Sequence, residues 1–201
     1  MAVPVNPEGR PATQGDELQR GVRNMLAMIR SLARRSSVDV SDVDDYVARF
    51  DGRLGAFARV QAAALYEPTA TIDLCTLVIE ELLAHAMHEG DALVVSIQPL
   101  RLGMRQAGAL ALAVHELAAD AFDQGAWSPA GGHVRITGRT TDGSLLFEWQ
   151  ESVASPPGSP RTFGAFGREY LEDGLRYDLN AATELKIGAA DLRFRLRMPL
   201  H

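Results

Sequence analysis

Lysine is almost missing from this chain of 201 residues: Lys186 is the only one, and arginine supplies the rest of the basic side chains. Cysteine is as scarce. Cys75 stands alone, which excludes an internal disulfide and a cysteine-based zinc site. Within the apolar run of Leu74, Leu77 and Val78 it reads as a small buried core residue. No stretch reaches the roughly 20 apolar residues that a membrane span needs. The opening "MAVPVNPEGRPATQGD" has no basic region followed by an apolar core, so it is not read as a signal peptide. Positive charge is in deficit: 20 basic against 26 acidic side chains give a formal net charge of -6, which offers nothing to nucleic acid or to an anionic membrane. A cytoplasmic protein is expected. Its 46% hydrophobic content is enough for a buried core and excludes global disorder.

What is present falls into two parts. Residues 1–15 are rich in proline and polar side chains and read as a flexible tail. From Asp16, apolar residues recur at three- and four-residue steps (Leu18, Val22, Met25, Leu26, Ile29, Leu32), one stripe of an amphipathic helix. "RRSSVDVSD" interrupts it, and Ser41 with Asp44 and Asp45 behind it marks a new helix start. The second stripe runs through Val43, Tyr46, Val47, Phe50, Leu54, Phe57, Val60 and Leu65. Residues 16–68 therefore form a helical hairpin. A lone hairpin leaves one face uncovered, and two copies paired through residues 16–66 would make a four-helix bundle.

Residues 69–201 change character. A helix over 72–88, a strand over 91–97 and a long apolar helix over about 105–124 come first. Two alternating strands, "HVRITGR" and "SLLFEWQ", follow around the turn signal Asp142-Gly143. "VASPPGSPRT" is a loop by composition. A helix after Gly167 and a closing hairpin of "ELKIG" and "LRFRLRMPL" complete the set. Helices on an antiparallel or mixed sheet give a two-layer α+β domain.

Four stretches now carry a family likeness: "LALAVHELAADA" with His115, "FEWQE" with Trp149 and Glu151, "FDGRLGAFARVQ", and "AFGREYLEDGLRYDL". In this order they resemble the HWE family of bacterial histidine kinases, from Glu17 onward. The resemblance implies a dimerising hairpin that normally bears the phosphorylated histidine and docks a response regulator. It implies next a GHKL-type ATP-binding sandwich of helices on a mixed sheet.

The departures from the family pattern bear on activity. The family reads close to Glu-Leu-x-His-Arg-Val-Lys-Asn where this chain has "ELQRGVRN", so Arg20 falls where the histidine belongs. A neutral imidazole is a nucleophile near neutral pH, whereas a guanidinium stays protonated and cannot attack a phosphoryl group. Catalytic residues in the usual sense are therefore none. Gln19, Arg20, Arg23 and Asn24 become candidates for partner binding, Arg20 through a partner's phosphate or carboxylate.

In the nucleotide motif the family's asparagine is replaced by Asp120 and its lysine by Asp123. Asp120 could still hold Mg²⁺, since hard cations accept carboxylate oxygen. Asp123 reverses a charge near a polyanion, worth about 1 kcal/mol in water and about 4 at an effective dielectric of 20. Several such terms would cancel a micromolar affinity of roughly 8 kcal/mol. Pro156 and Pro157 stand where pliant, donor-bearing glycines are expected, and Ala165 replaces the glycine before Phe166 and Gly167. His115, Glu116, Asp120, Trp149, Glu151, Phe166 and Gly167 thus make a vestigial nucleotide site. Glu116 matches the family's general-base position. Read without the resemblance, His115 is a hydrogen-bonded structural histidine, Trp149 a core residue with its indole N–H satisfied, and Glu151 a surface strand end.

The expected protein is a two-component signalling dimer that has lost autophosphorylation and binds a response regulator receiver domain or a sensor kinase. No cofactor is expected; ATP with Mg²⁺ is what the resemblance alone would bring. The alternatives are a phosphotransferase or phosphatase acting on a receiver, for which Gln19 or Asn24 could position water, and an anti-sigma-like partner-binding module.

Overall fold

The computed structural model describes residues 14–38, 40–66, 71–85, 92–129, 131–155 and 161–200. The chain separates into two compact units, Met1–Phe50 and Asp51–His201. The first contains α1 (Gln14–Arg35) and the opening turns of α2 (Val43–Tyr66). Helix α1 begins within residues read as tail, because its first turn carries no member of the apolar stripe that starts at Leu18; residues 1–13 lie outside the described set. The start of α2 is capped reciprocally. The Asp42 carboxylate accepts the Asp45 N–H at 2.9 Å, and the Asp45 carboxylate accepts the Ser41 N–H at 3.0 Å. The Tyr46 hydroxyl donates to the Ala33 carbonyl at 3.3 Å, and Tyr46 stacks on Phe50 one turn on. Leu32 is buried, but Val22, Leu26, Val43 and Val47 are each about half exposed or more.

Helix α2 continues unbroken into the second unit, where residues from Asp51 onward are counted with the α/β part. There the order is β1 (Thr71–Asp73), α3 (Leu74–Ala84), β2 (Leu93–Ile97), β3 (Arg101–Gly103), α4 (Met104–Asp123), β4 (Gly132–Thr141) and β5 (Ser144–Val153). After these come α5 (Ala165–Glu169), a π turn (Tyr170–Gly174), α6 (Leu175–Leu179), β6 (Ala182–Ile187) and β7 (Asp191–Pro199). The main sheet has the order β2-β4-β5-β7-β6, with β2 parallel to β4 and every other pair antiparallel. It is the mixed sheet of an α+β domain.

Strand alternation fixes the inner face. Val134 and Ile136 of β4, Phe147 and Trp149 of β5, and Phe194 and Leu196 of β7 all turn inward and are buried. Helix α4 is buried over most of its length, and its many alanines keep it slim among its neighbours. Each large apolar side chain of this core contributes about 1.5–3 kcal/mol on burial.

Four local features depart from the sequence reading. A two-stranded ribbon, β1 antiparallel to β3, was not read, since three residues are too few to show a period. Its last residue, Asp73, caps α3 by accepting the Thr76 N–H at 2.9 Å, so the helix begins at Leu74 rather than at 72; residues 86–88, read as its end, lie outside the described set, as do Pro156 and Pro157. Cys75 is half-buried on α3 and is not a core residue, because the buried side of that helix runs through Leu74, Leu77, Val78 and Leu82. The helix read as starting after Gly167 starts at Ala165 and passes through the π turn, where the Leu175 N–H reaches the Tyr170 carbonyl.

The hairpin between β4 and β5 turns on Asp142 and Gly143, with φ of 48° and 64°. Both left-handed positions match the twist of the strands. Gly143→Val places a β-branched residue there and should cost about 1 to 2 kcal/mol. Urea unfolding of the variant beside the unaltered chain measures it.

Candidate functional site

Helix α4 carries His115, Glu116 and Asp120, and each is met by an arginine or a histidine from another element. Glu116 and Asp120, one turn apart, lie on one face. Arg53, on the second half of α2, grips Glu116 with two parallel bonds, Nε to Oε1 at 2.7 Å and Nη2 to Oε2 at 3.1 Å. Both side chains are buried. The guanidinium of Arg53 also lies 3.8 Å from the centre of the Phe166 ring. A Cβ on Gly167 would come within 2.9 Å of the Glu116 Oε2 and 2.6 Å of the Phe163 ring, so a glycine is required by close approach.

His115 points elsewhere. Its Nδ1 is 3.1 Å from the Nε2 of His85, and the same nitrogen is 4.0 Å from Glu81. Arg59 holds Glu81 through bonds of 2.9 and 2.6 Å. Gly52 on α2 leaves room for the imidazole, since a Cβ there would lie 2.8 Å from Cε1. Burial, with His85, Arg53 and Arg59 adding positive charge, pushes the His115 pKa from 6.5 down to about 3. The ring is neutral at physiological pH.

Asp120 and Glu151 are brought together by Arg161, which follows the loop after β5. The Arg161 guanidinium bonds to the Asp120 carboxylate, and its Nη1 lies 2.8 Å from Glu151 Oε1. The same Glu151 oxygen accepts the Ala126 N–H at 2.7 Å. Glu151 is buried and is not a surface strand end. Burial raises the Asp120 pKa to about 6 against the opposing pull of Arg161. Gly125 lies against this cluster, and any Cβ there would run into Glu151 and Arg161. Trp149 is fully buried, but its indole N–H is not satisfied: neither it nor that of Trp127, set edge-on to it at 5.6 Å, meets a partner among the described residues. Trp127 also packs against the Phe122 ring at 5.2 Å.

Gln19 and Arg23 are exposed on α1 and bond to each other at 3.2 Å, within the first unit. Arg20 and Asn24 belong to α1 by backbone, and their side chains lie outside the described set. Arg53, Arg59, Glu81, His85 and Arg161 were missed as site residues. Arg53 stands inside a quoted motif, "FDGRLGAFARVQ", and Arg161 follows the proline-rich loop, but nothing in the spacing says which carboxylate either one meets.

Asp120 already has an arginine as counter-ion, and among the described residues no group of three His, Cys, Asp or Glu side chains could hold a metal ion. One oxygen of Glu151, Oε2, has no hydrogen-bond partner among the described residues and would suit an amino donor.

The HWE histidine kinase family model matches residues 17–98. Blue-light-activated histidine kinase 1 of Erythrobacter litoralis is 27% identical over 191 residues, covering 92% of this chain and 52% of that protein. The histidine kinase domain of an Erythrobacter litoralis blue-light activated histidine kinase superimposes with a TM-score of 0.62 over 88% of this chain and 84% of its own, at 18% identity. Over residues 17–98 the chain resembles the HWE histidine kinases. Its second unit shares the fold of that kinase domain, a GHKL-like sandwich of helices on a mixed sheet. The blue-light-activated histidine kinase of Brucella ovis is 25% identical over 197 residues, 96% of this chain and 40% of that one. The chain therefore spans about half the length, or less, of these curated relatives. Among the described residues no helix is long and apolar enough to cross a membrane.

Two outcomes follow for the HWE-type site. Arg161→Ala strands Asp120 and Glu151 without a counter-charge and should cost about 3–5 kcal/mol at neutral pH, a loss that shrinks in acid as the carboxylates protonate. Denaturant unfolding at pH 7 and pH 5 measures both. His115, held neutral when folded, favours the folded state above its ordinary pKa, and that contribution is lost as pH falls from 6.5 towards about 3. Asp120 works oppositely, stabilising below its ordinary value of 3.8 and losing that contribution as pH rises through about 6. In an Asp120→Asn background, stability should therefore drop steadily below pH 6.5, and adding His115→Gln should flatten that limb.

Proposed function

We propose that this chain is a two-component signalling protein that has kept the histidine-kinase frame and lost autophosphorylation, and that it acts by binding a response regulator or a kinase partner. The observation that carries the reading is an arginine wherever kinase chemistry needs a free group. Arg20 stands at the acceptor position of α1, Arg53 grips Glu116, and Arg161 bridges Asp120 and Glu151. A guanidinium cannot take a phosphoryl group, and a carboxylate held in two charge-assisted bonds is not free to take a proton. Asp120, already paired, is not open to Mg²⁺.

The exposed apolar residues of the first unit, Val22, Leu26, Val43 and Val47, support pairing with a second copy. Such a dimer would place Gln19, Arg20, Arg23 and Asn24 on a helical surface suited to a partner's acidic or phosphorylated side chains.

The chain incubated with Mg²⁺ and γ-labelled ATP should take up no label, and a calorimetric titration with millimolar Mg-ATP should show no binding heat. Acid-labile phosphate on the chain would overturn the reading.

A further inference from the structure

The solvent face of the sheet holds a charge that the whole chain conceals. Strand register sets its side chains in rows. Val94, Arg135, Gln150, Arg193 and Lys186 share one row from β2 to β6. Arg139, Leu146, Arg197 and Ala182 share another, and Thr137, Glu148, Arg195 and Glu184 lie between. The face thus carries six cations, while Glu148, Glu184 and Asp191 are its only carboxylates among the described residues, in a chain of net charge -6.

Two of those carboxylates, Glu148 and Glu184, are already shared, while Asp191 lies at the edge of the first row. Glu148 takes Arg193 at 2.9 Å and Arg195 at 2.8 Å, and Glu184 takes Lys186 at 2.7 Å. Arg135, Arg139 and Arg197 have no ion-pair partner among the described residues. Lys186 stands directly opposite Arg193 across the ladder, each of the two already paired with a carboxylate. Two grooves lie over these rows. One of about 480 Å³ is floored by His133, Arg135, Gln150 and Arg193, and one of about 330 Å³ by Thr137, Arg139, Leu146, Arg195 and Arg197.

We propose that this face docks an acidic polypeptide segment of a partner protein. The segment lies across the strands, with carboxylates at Arg135 and Arg193 in the first groove and at Arg139 and Arg197 in the second, and an apolar side chain on Leu146 between the last two. The cations are spread over three strands, which suits a chain of carboxylates rather than one phosphate. Among the described residues the face has no Phe, Tyr or Trp on which bases could stack. The proposal deepens the binding role above by giving the chemistry of the partner.

The test is fluorescence anisotropy with a labelled 14-residue peptide of alternating Asp and Glu around a central Leu. The full chain should bind it, more weakly as salt rises. The triple variant Arg135→Glu, Arg139→Glu, Arg197→Glu breaks no ion pair and should bind about tenfold more weakly or worse. Arg30→Glu on α1 should change nothing. If the triple reversal lowers the melting temperature, the corresponding triple Gln variant, which adds no charge, should weaken binding in the same direction. Undiminished binding by the variants, no binding by the unaltered chain, or tighter binding of a single-stranded oligonucleotide of equal charge would each overturn the proposal. Label uptake from ATP would sink the proposed function and leave this surface standing, so the two failures are distinguishable.

Discussion

Arg161 lies between two buried carboxylates, Asp120 and Glu151, and the second unit is arranged around keeping it there. Either carboxylate alone would be expensive to hold ionised at that depth, since the desolvation of one ion amounts to several kcal/mol. One guanidinium with donors on two edges answers both, and the Ala126 N–H adds a further bond to Glu151. Gly125 has to be a glycine for the cluster to close. Asp120 comes from α4, Glu151 from β5 and Arg161 from the loop beyond, so this contact ties the helical layer to the sheet.

The same device recurs along the helices. Arg53 and Arg59, six residues apart on α2, meet Glu116 on α4 and Glu81 on α3. The second half of α2 is thus held by two forked contacts, and Gly52 allows it to approach His115. Buried ion pairs contribute little net stability compared with apolar contacts of the same shape, but they admit few alternative arrangements. Here they fix α2 against α3 and α4 in one register.

Much of the fold was legible in the sequence because its signals are local. The period of α1 and α2, the strand alternation around "FEWQ" and the Asp142-Gly143 turn each follow from sterics and burial acting over a few residues. The ribbon of β1 and β3 was not legible, being too short to have a period. The site was legible as a set of positions but not as a set of pairs. His115, Glu116 and Asp120 could be named from "VHELAAD", yet which charge each one faces depends on residues 30 to 63 positions away in the chain. An acidic composition likewise hid a cationic sheet face, since a sum over the sequence has no sides.

The scarcity of lysine has a practical chemical meaning. The chain has one side-chain amine, Lys186, on the edge strand β6 and directly opposite Arg193. Amine-directed dyes and cross-linkers, apart from the chain's own amino terminus, have a single address, and it lies at the border of the arginine rows. A reporter coupled there would sit opposite Arg193, which lines the first groove, and would report on what occupies the sheet face.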